Sequence, residues 1–381
     1  MMKTIPVFSP DLGIDTIRHL SETLEIGWLG MGKVTKEFEE RISEFLELDG
    51  RFVVATNTAT SALHLALRGI GVGEGDEVIT PSFNCVADQH AIKMAGGEPV
   101  MCDILEENLG IDCKKAEELI SEKTKAIIPL HYGGIPCNQK EVFDLAQKYN
   151  LRVIEDCCHA FGTRINGKKL GSYGDIAFFS FDAVKTLTSI DGGCIILKDK
   201  EEFEKIQHMR LLGMDKDTLE RYKNKRSWVY DVDTEGYRYH LNNVMASVGI
   251  SQIKRIDEMI ESRRSVCKSY SEAFRGLQKI EVPNTDFENI SSFNYVIRVY
   301  DNRRQDLIDH LKLLGIETGI HWTPVHKFSY FSESKRGDLT ITEKIAVEIL
   351  TLPLHSNMKQ EFIQRIIDGV TSFTSKFYYI K

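Results

Sequence analysis

The sequence predicts an α/β fold, with a mostly parallel sheet in a large first part, residues 1–255, and a smaller α+β part over residues 256–381. Three observations carry this. Short apolar runs with the look of buried strands recur at roughly 25-residue spacing between Val53 and Leu197, and helical runs separate them, as crossover connections require. The run Val153-Ile154-Glu155-Asp156 ends in acid, and the run Ile176 to Phe181 is followed closely by Lys185. Two opposite charges therefore fall at one edge of the sheet, the edge where open α/β folds bind ligands. Beyond a long helical run from Val244 to about Ser269, strand and helix signals mix without the earlier rhythm.

Along the chain, residues 1–30 read as an irregular arm with one helix around Ile14 to Leu24. A turn at Trp28-Leu29-Gly30-Met31-Gly32 leads into a helix from Val34 to Leu48, with Phe38, Ile42, Phe45 and Leu46 on one face. Val53 to Ala55 is a buried strand, and Thr56-Asn57-Thr58-Ala59-Thr60 turns it into a helix from Ser61 to Leu67. Small hydroxylic residues at such a turn present hydroxyls and free N–H groups at a helix N-terminus, which makes an anion site. Capping by threonine is the plainer reading, and the two are compatible. The glycines from Gly69 to Gly75 follow a helix and precede a strand, the reverse of a dinucleotide fingerprint. Strands are expected at Glu77 to Thr80, Pro99 to Asp103, Ala126 to Pro129 and Cys194 to Leu197, with Pro81 to Asp88 opening a helix and another helix from Glu201 to Met209. In the last third, Ile280 to Tyr300 and Thr318 to His321 read as strands, and Arg304 to Leu314 and Gln360 to Lys376 as helices.

Bulk properties narrow the function. A chain of 381 residues with net charge −8 is large enough for two domains, and its acidity argues against a general nucleic-acid or anionic-membrane surface. The N-terminus lacks an apolar leader pattern and no run reaches the length of a membrane span, so a cytoplasmic protein is expected. Eight cysteines form no C-x-x-C pair, and buried thiols in a reducing compartment fit them better than a zinc site or a disulfide framework. Pro324 keeps His321 and His326 off a common helix face, and no metal site is expected there.

The chemistry that needs an acid and a lysine at one sheet edge is that of pyridoxal 5′-phosphate. Its aldehyde needs a lysine for a Schiff base, and its ring nitrogen needs a carboxylate to stay protonated. Asp156 and Lys185 are the candidates; on spacing alone, a helix-capping acid and a solvated lysine account for the pair equally well. The wording of the stretch goes further. Ile154-Glu155-Asp156, His159-Ala160, Gly171, Gly174-Asp175, Phe179-Ser180-Phe181 and Lys185 resemble the DegT/DnrJ/StrS family of nucleotide-sugar aminotransferases, whose pattern runs I-E-D-A-A-[HQ]-A, G-x-x-G-D-x-x-x-F-S-F, K and G-E-G-G. Asp191 stands where glutamate is usual and Ile190 where glycine is usual, and Cys157 and Cys158 replace two small residues.

The resemblance covers nearly the whole chain and implies a fold type I pyridoxal-phosphate-dependent transferase, with a seven-stranded sheet in its large domain. It also implies roles. Lys185 holds the cofactor and Asp156 the ring nitrogen. His159 bonds the phenolic oxygen, with a core histidine satisfied by backbone as its plainer reading. Thr60, Ala59 beside it, and Ser180 meet the phosphate, Ala59 standing where the family has glycine. The residue stacking on the ring falls on Cys85, with Phe83 as a substitute from nearby. In Gly236-Tyr237-Arg238-Tyr239, Arg238 takes the place of an asparagine that reaches the phosphate of the neighbouring subunit, which implies a homodimer with shared active sites. Substrate contact near His321 is also plausible on this pattern.

The implied reaction moves an amino group from L-glutamate to a nucleotide-linked keto sugar, with pyridoxamine 5′-phosphate as the intermediate cofactor form, in the making of deoxyamino sugars for surface polysaccharide or glycosylated products. Thr186-Leu187-Thr188-Ser189 looks more like members that aminate C4 of a 4-keto-6-deoxy sugar than like those acting on C3, which carry N-L-G-A. Two readings compete: a sugar dehydratase, which in this family replaces the lysine by histidine, and a catalytically silent regulator of the same fold.

Overall fold

In the computed structural model, residues 3–215, 230–285 and 287–375 are described. The first part of the chain builds one sheet from β1 (Phe52–Thr56), β2 (Glu77–Pro81), β3 (Glu98–Cys102), β4 (Thr124–Ile127), β5 (Arg152–Asp156), β8 (Ile176–Ser180) and β9 (Gly193–Leu197), with a short hairpin of β6 (Arg164–Ile165) and β7 (Lys168–Lys169) outside it. The order is β1-β9-β8-β5-β4-β2-β3. Pairings from β3 through β8 are parallel; β9 runs antiparallel to both β8 and β1. This is the mostly parallel seven-stranded sheet expected of the fold. All five residues of β2, β8 and β9 are buried, because helices cover both faces. Helix α1 spans Ile14–Ile26, α2 Lys33–Leu46, α3 Ala59–Gly69 and α4 Ala87–Met94. On one face Val54, Ile154, Phe178 and Ile195 pack against Leu63 and Leu67 of α3; on the other Phe179, Phe181 and Ile196 meet Phe38 and Ile42 of α2.

The direction of β9 explains the position of Lys185. A parallel neighbour to β8 would need a helical crossover. Instead the chain folds straight back: Phe181 N–H donates to Gly192 O at 2.9 Å and Ser189 N–H to Phe181 O at 2.9 Å. Lys185 sits in that loop, so the ends of β1, β5 and β8 and the start of β9 all meet at the edge that carries it.

A second sheet, β10 (Ile280–Glu281), β11 (Tyr295–Val299) and β12 (Ile349–Leu352), is antiparallel. Its core gathers Tyr270, Tyr295, Leu307, Leu350 and Ile366, and also Ile5 of the N-terminal arm. The arm is tied there by Ile5 N–H to Gly315 O at 2.8 Å and Leu354 N–H to Val7 O at 3.0 Å.

Several expected elements differ. The run from Val244 to Ser269 is two helices, Asn243–Ile253 and Ile256–Phe274, broken where Arg255 leaves helical geometry and pairs with Asp11 at 3.2 Å. The stretch from Ile280 to Tyr300 is not one strand, because Pro283 cannot carry the ladder on. Thr318 to His321 makes only a single bridge, Gly319 to Thr351, before Pro324 ends the extended run. The strand β12 and the helix Thr340–Glu348 were not anticipated. The chain from Ser82 to Val86 is a bend, and α4 starts at Ala87. Most of the polar stretch from Asp215 to Tyr239, residues 216–229, and Lys376 lie outside the described residues.

Candidate active site

At the shared edge lies a cavity of about 380 Å³, bounded by the starts of α3 and α4, the ends of β5 and β8, and the segments around Phe293 and His321. Of the residues singled out from sequence, it brings together Lys185, Asp156, His159, Ser180, Ala59, Thr60 and Cys85.

One end is built on the start of α3. Thr58 is the N-cap: its hydroxyl accepts from Ser61 N–H at 3.0 Å, while Ser61 Oγ accepts from Thr58 N–H at 3.2 Å. This reciprocal cap leaves the N–H groups of Ala59 and Thr60, which have no intrahelical acceptor, at the cavity wall. Gly193 lets β9 pass beneath them. A Cβ there would lie 2.7 Å from Ala59 N and 2.8 Å from the carbonyl carbon of Thr58, backbone in both cases. Ser180 joins the same wall from β8 and accepts from Asp182 N–H at 3.4 Å.

The other end is built from side chains. Asp156, 3% exposed, accepts from Cys158 N–H at 2.9 Å through Oδ1 and from Asn84 Nδ2 at 3.4 Å through Oδ2. Lys185 lines the same cavity, its Nζ 4.0 Å from the centroid of the Phe293 ring. His159 is buried and stacks on Phe293 at 4.5 Å. Gly133 N–H donates to His159 Nδ1 at 3.3 Å, so the ring proton belongs on Nε2. Burial, then the charges of Lys185 and His321, holds the ring well below the usual histidine range and therefore neutral. Gly134 lets this turn pack tightly, since a Cβ there would run into Ser291 O and lie 3.0 Å from His159 O. His321 accepts or donates to Thr351 Oγ1 at 2.9 Å, and burial, then Lys185, lowers it to about 4.

Two sequence expectations separate here. Phe83 is buried in a cluster with Ile104, Leu130 and Tyr132, its ring 5.4 Å from that of Tyr132, and it does not line the cavity; Cys85 does. Phe83 is therefore not a substitute stacking residue. Arg238 is exposed, pairs with Leu211 through an isolated bridge and lies away from this cavity of its own chain. His326 bonds Ser82 Oγ at 2.7 Å and Glu343 at 3.2 Å, a structural role. Among the described residues, no three His, Cys, Asp or Glu side chains are grouped as a metal site needs, and no helix is long and apolar enough to cross a membrane.

Sequence reasoning missed Asn84, Asp88, Cys158, Phe8, Phe293 and Trp322, all on the cavity wall. Asn84 and Asp88 carried a signal, as polar residues inside an otherwise apolar turn that ends a strand. Phe8 and Phe293 carried none: they lie hundreds of residues apart in sequence and stack at 4.9 Å only through the tertiary fold.

The model of the DegT/DnrJ/EryC1/StrS aminotransferase family matches residues 10–371. The spore coat polysaccharide biosynthesis protein SpsC of Bacillus subtilis is 33% identical over 375 residues, 96% of each chain. Among solved structures, Spr1654 of Streptococcus pneumoniae in its PMP form superposes with a TM-score of 0.90 at 30% identity, covering 98% of this chain and 99% of that one. Helicobacter pylori PseC, an aminotransferase involved in the biosynthesis of pseudoaminic acid, has a TM-score of 0.91 at 26% identity, covering 98% of this chain and 100% of that one.

Proposed function

This chain belongs to the DegT/DnrJ/EryC1/StrS aminotransferase family, and from that premise we propose that it transfers the amino group of L-glutamate to a nucleotide-linked 4-keto-6-deoxy sugar. It is a pyridoxal-phosphate-dependent sugar aminotransferase. The cofactor fits the residues present: a helix N-terminus with two unspent N–H groups and a serine at one end of the cavity suits a phosphate, a buried carboxylate at the other suits a pyridinium nitrogen, and a lysine lines the same cavity.

When bound, the cofactor supplies the electron sink for loss of a proton from the donor's α-carbon. In our reading the rest is done by the chain. Thr60, the N–H groups of Ala59 and Thr60, and Ser180 hold the phosphate. Asp156 would accept a hydrogen bond from the protonated ring nitrogen and keep the proton there. His159 donates from Nε2 to the phenolic oxygen, and its neutrality suits a donor that adds no charge. Lys185 would hold the cofactor, and its amine would take up the proton lost from the donor's α-carbon. Cys85 packs on the ring. Arg238 completes the phosphate grip of a second copy, so the working unit is a homodimer. The setting is cytoplasmic, in the assembly of deoxyamino sugars for surface polysaccharide; SpsC is named for polysaccharide biosynthesis, which supports this.

The observation that carries the reading is the placement of Lys185 and Asp156 in one cavity beside the α3 N-terminus. The test is incubation with L-glutamate and nucleotide-linked 4-keto-6-deoxy sugars, with the product read by mass and NMR. An amine at C4 is expected; amination at C3 only, or a dehydrated product, would replace this proposal.

A further inference from the structure

The ring-nitrogen end of the cavity contains a second acid. Asp88, in the first turn of α4, is 4% exposed, and Asp156 is 3% exposed. The amide of Asn84 bridges them: Nδ2 is 2.8 Å from Asp88 Oδ2 and 3.4 Å from Asp156 Oδ2. Its orientation is fixed, because Asn84 Oδ1 accepts from Cys85 N–H at 2.6 Å, leaving only Nδ2 to face the acids. Asp156 Oδ1 is occupied by Cys158 N–H at 2.9 Å, so Oδ2 is the oxygen turned toward Asn84 and Asp88.

We propose that Asp88 shares one proton with Asp156, and that Asp88 is the positioning residue that sets how firmly this end of the cavity holds the cofactor's ring nitrogen protonated. Two carboxylates buried this closely do not both ionise, and a proton held between them is the usual resolution. The groups that face Asp88 are Asp156 at the end of β5, Cys158 just after it, Lys185 in the loop after β8, and Asn84 and Cys85 in the bend that precedes α4; Lys185 is the single cation among these. Burial, then the neighbouring charge of Asp156, pushes Asp88 well above the usual carboxylate range. Asp88 thus carries the proton and donates it toward Asp156, which stays an acceptor. As pH rises, the first proton to leave is that of Asp88, and the added negative charge holds the ring nitrogen protonated to higher pH than Asp156 alone would.

The shared proton is independent of the proposed substrate, while the effect on the ring nitrogen rests on the proposed role of Asp156. Two measurements separate these. The first is the melting temperature of the full chain without cofactor across pH, for the wild type, Asp88→Asn and Asp156→Asn. A carboxyl whose folded pKa is raised contributes stability that is present below its unfolded pKa and lost as pH rises through the folded one. The wild type should lose stability with rising pH above the ordinary carboxylate range. Asp88→Asn should abolish that loss, and Asp156→Asn should move it to lower pH by relieving Asp88. Equal pH profiles for the wild type and whichever variant folds would overturn the shared proton.

The second measurement is the ¹⁵N chemical shift of ring-labelled pyridoxal phosphate bound to the protein. In Asp88→Asn the nitrogen should lose its proton about one pH unit or more below the wild type, the scale of a single added neighbouring charge. An unchanged ring titration would overturn the positioning role. A ring nitrogen insensitive to Asp156→Asn would instead contradict the assignment of Asp156 and leave the proton pair standing.

Discussion

The two ends of the cavity are made of different material. The end proposed for the phosphate is backbone: the first turn of α3, closed by the Thr58–Ser61 cap and pressed against Gly193 of β9. The end proposed for the ring is side chains: Asp156, Asn84, Asp88 and His159, with hydrogen bonds that join the bend after β2 to the end of β5 and the turn after β4 to His159. A backbone site depends on where a helix starts and on a glycine that permits close approach. A side-chain site depends on charge and proton bookkeeping in a buried place. Substitutions at the ring end should therefore act on the chemistry, and those at the phosphate end on affinity and fold.

The largest effect should come from Lys185→Ala, which removes both the proposed cofactor link and the proposed proton carrier. Turnover should fall by about 10⁴-fold, the upper range for a general acid–base group, in steady-state kinetics at saturating cofactor. Retained transamination would remove Lys185 from its role. Asp156→Asn should follow, with a fall of about 10²–10³-fold in turnover and little change in cofactor affinity, because the proposed phosphate grip lies at the other end. A large loss of affinity with normal turnover would erase the distinction between the ends.

Gly193→Ala should do the reverse. Its Cβ meets backbone 2.7 Å away, so the start of α3 must shift. A destabilisation of about 1–3 kcal/mol, as for other overpacked sites, should appear as a lower denaturation midpoint together with weaker cofactor binding. Thr60→Ala should be milder, costing about 1.5 kcal/mol, roughly tenfold in Kd, with turnover at saturation unchanged.

The smallest effect should separate the ends by pH. His159 and His321 are both lowered by burial, His321 to about 4. A histidine depressed in this way supports stability that is present above its unfolded value near 6.5 and lost as pH falls toward the folded one. Melting temperature should decline between pH 6.5 and 4, and His321→Gln should flatten part of that decline. No change would mean that His321 is protonated as readily in the fold as outside it.

How much of this could be read from sequence follows the same division. The strands of the seven-stranded sheet, α3 and the Asp156-to-Gly193 stretch were legible because each is contiguous and obeys a local rule: apolar runs for buried strands, hydroxyls at a helix start, acid and lysine past strand ends. The sheet order was not. That β9 turns back on β8 depends on the hydrogen bonds of Phe181 and Ser189 within the Lys185 loop, which carry no compositional mark. The ring end was half legible. Asp156 and His159 stand in one motif, but Asn84 and Asp88 gain meaning only when the end of β2 is laid beside the end of β5. Motif order puts the stacking position on Cys85 with Phe83 as a substitute from nearby, and only the bend from Ser82 to Val86 decides between them: it turns Phe83 into the core and leaves Cys85 on the wall. Phe293 and Phe8 come from distant segments that only the packed fold brings to Lys185.

The most direct test of the account is to add pyridoxal phosphate to the purified protein, reduce it with borohydride, and locate the resulting pyridoxyl group by peptide mass spectrometry. The account predicts the label on Lys185, and its loss when Lys185 is replaced by alanine. A protein that takes no label, or carries it on another lysine, would contradict the assignment of this cavity.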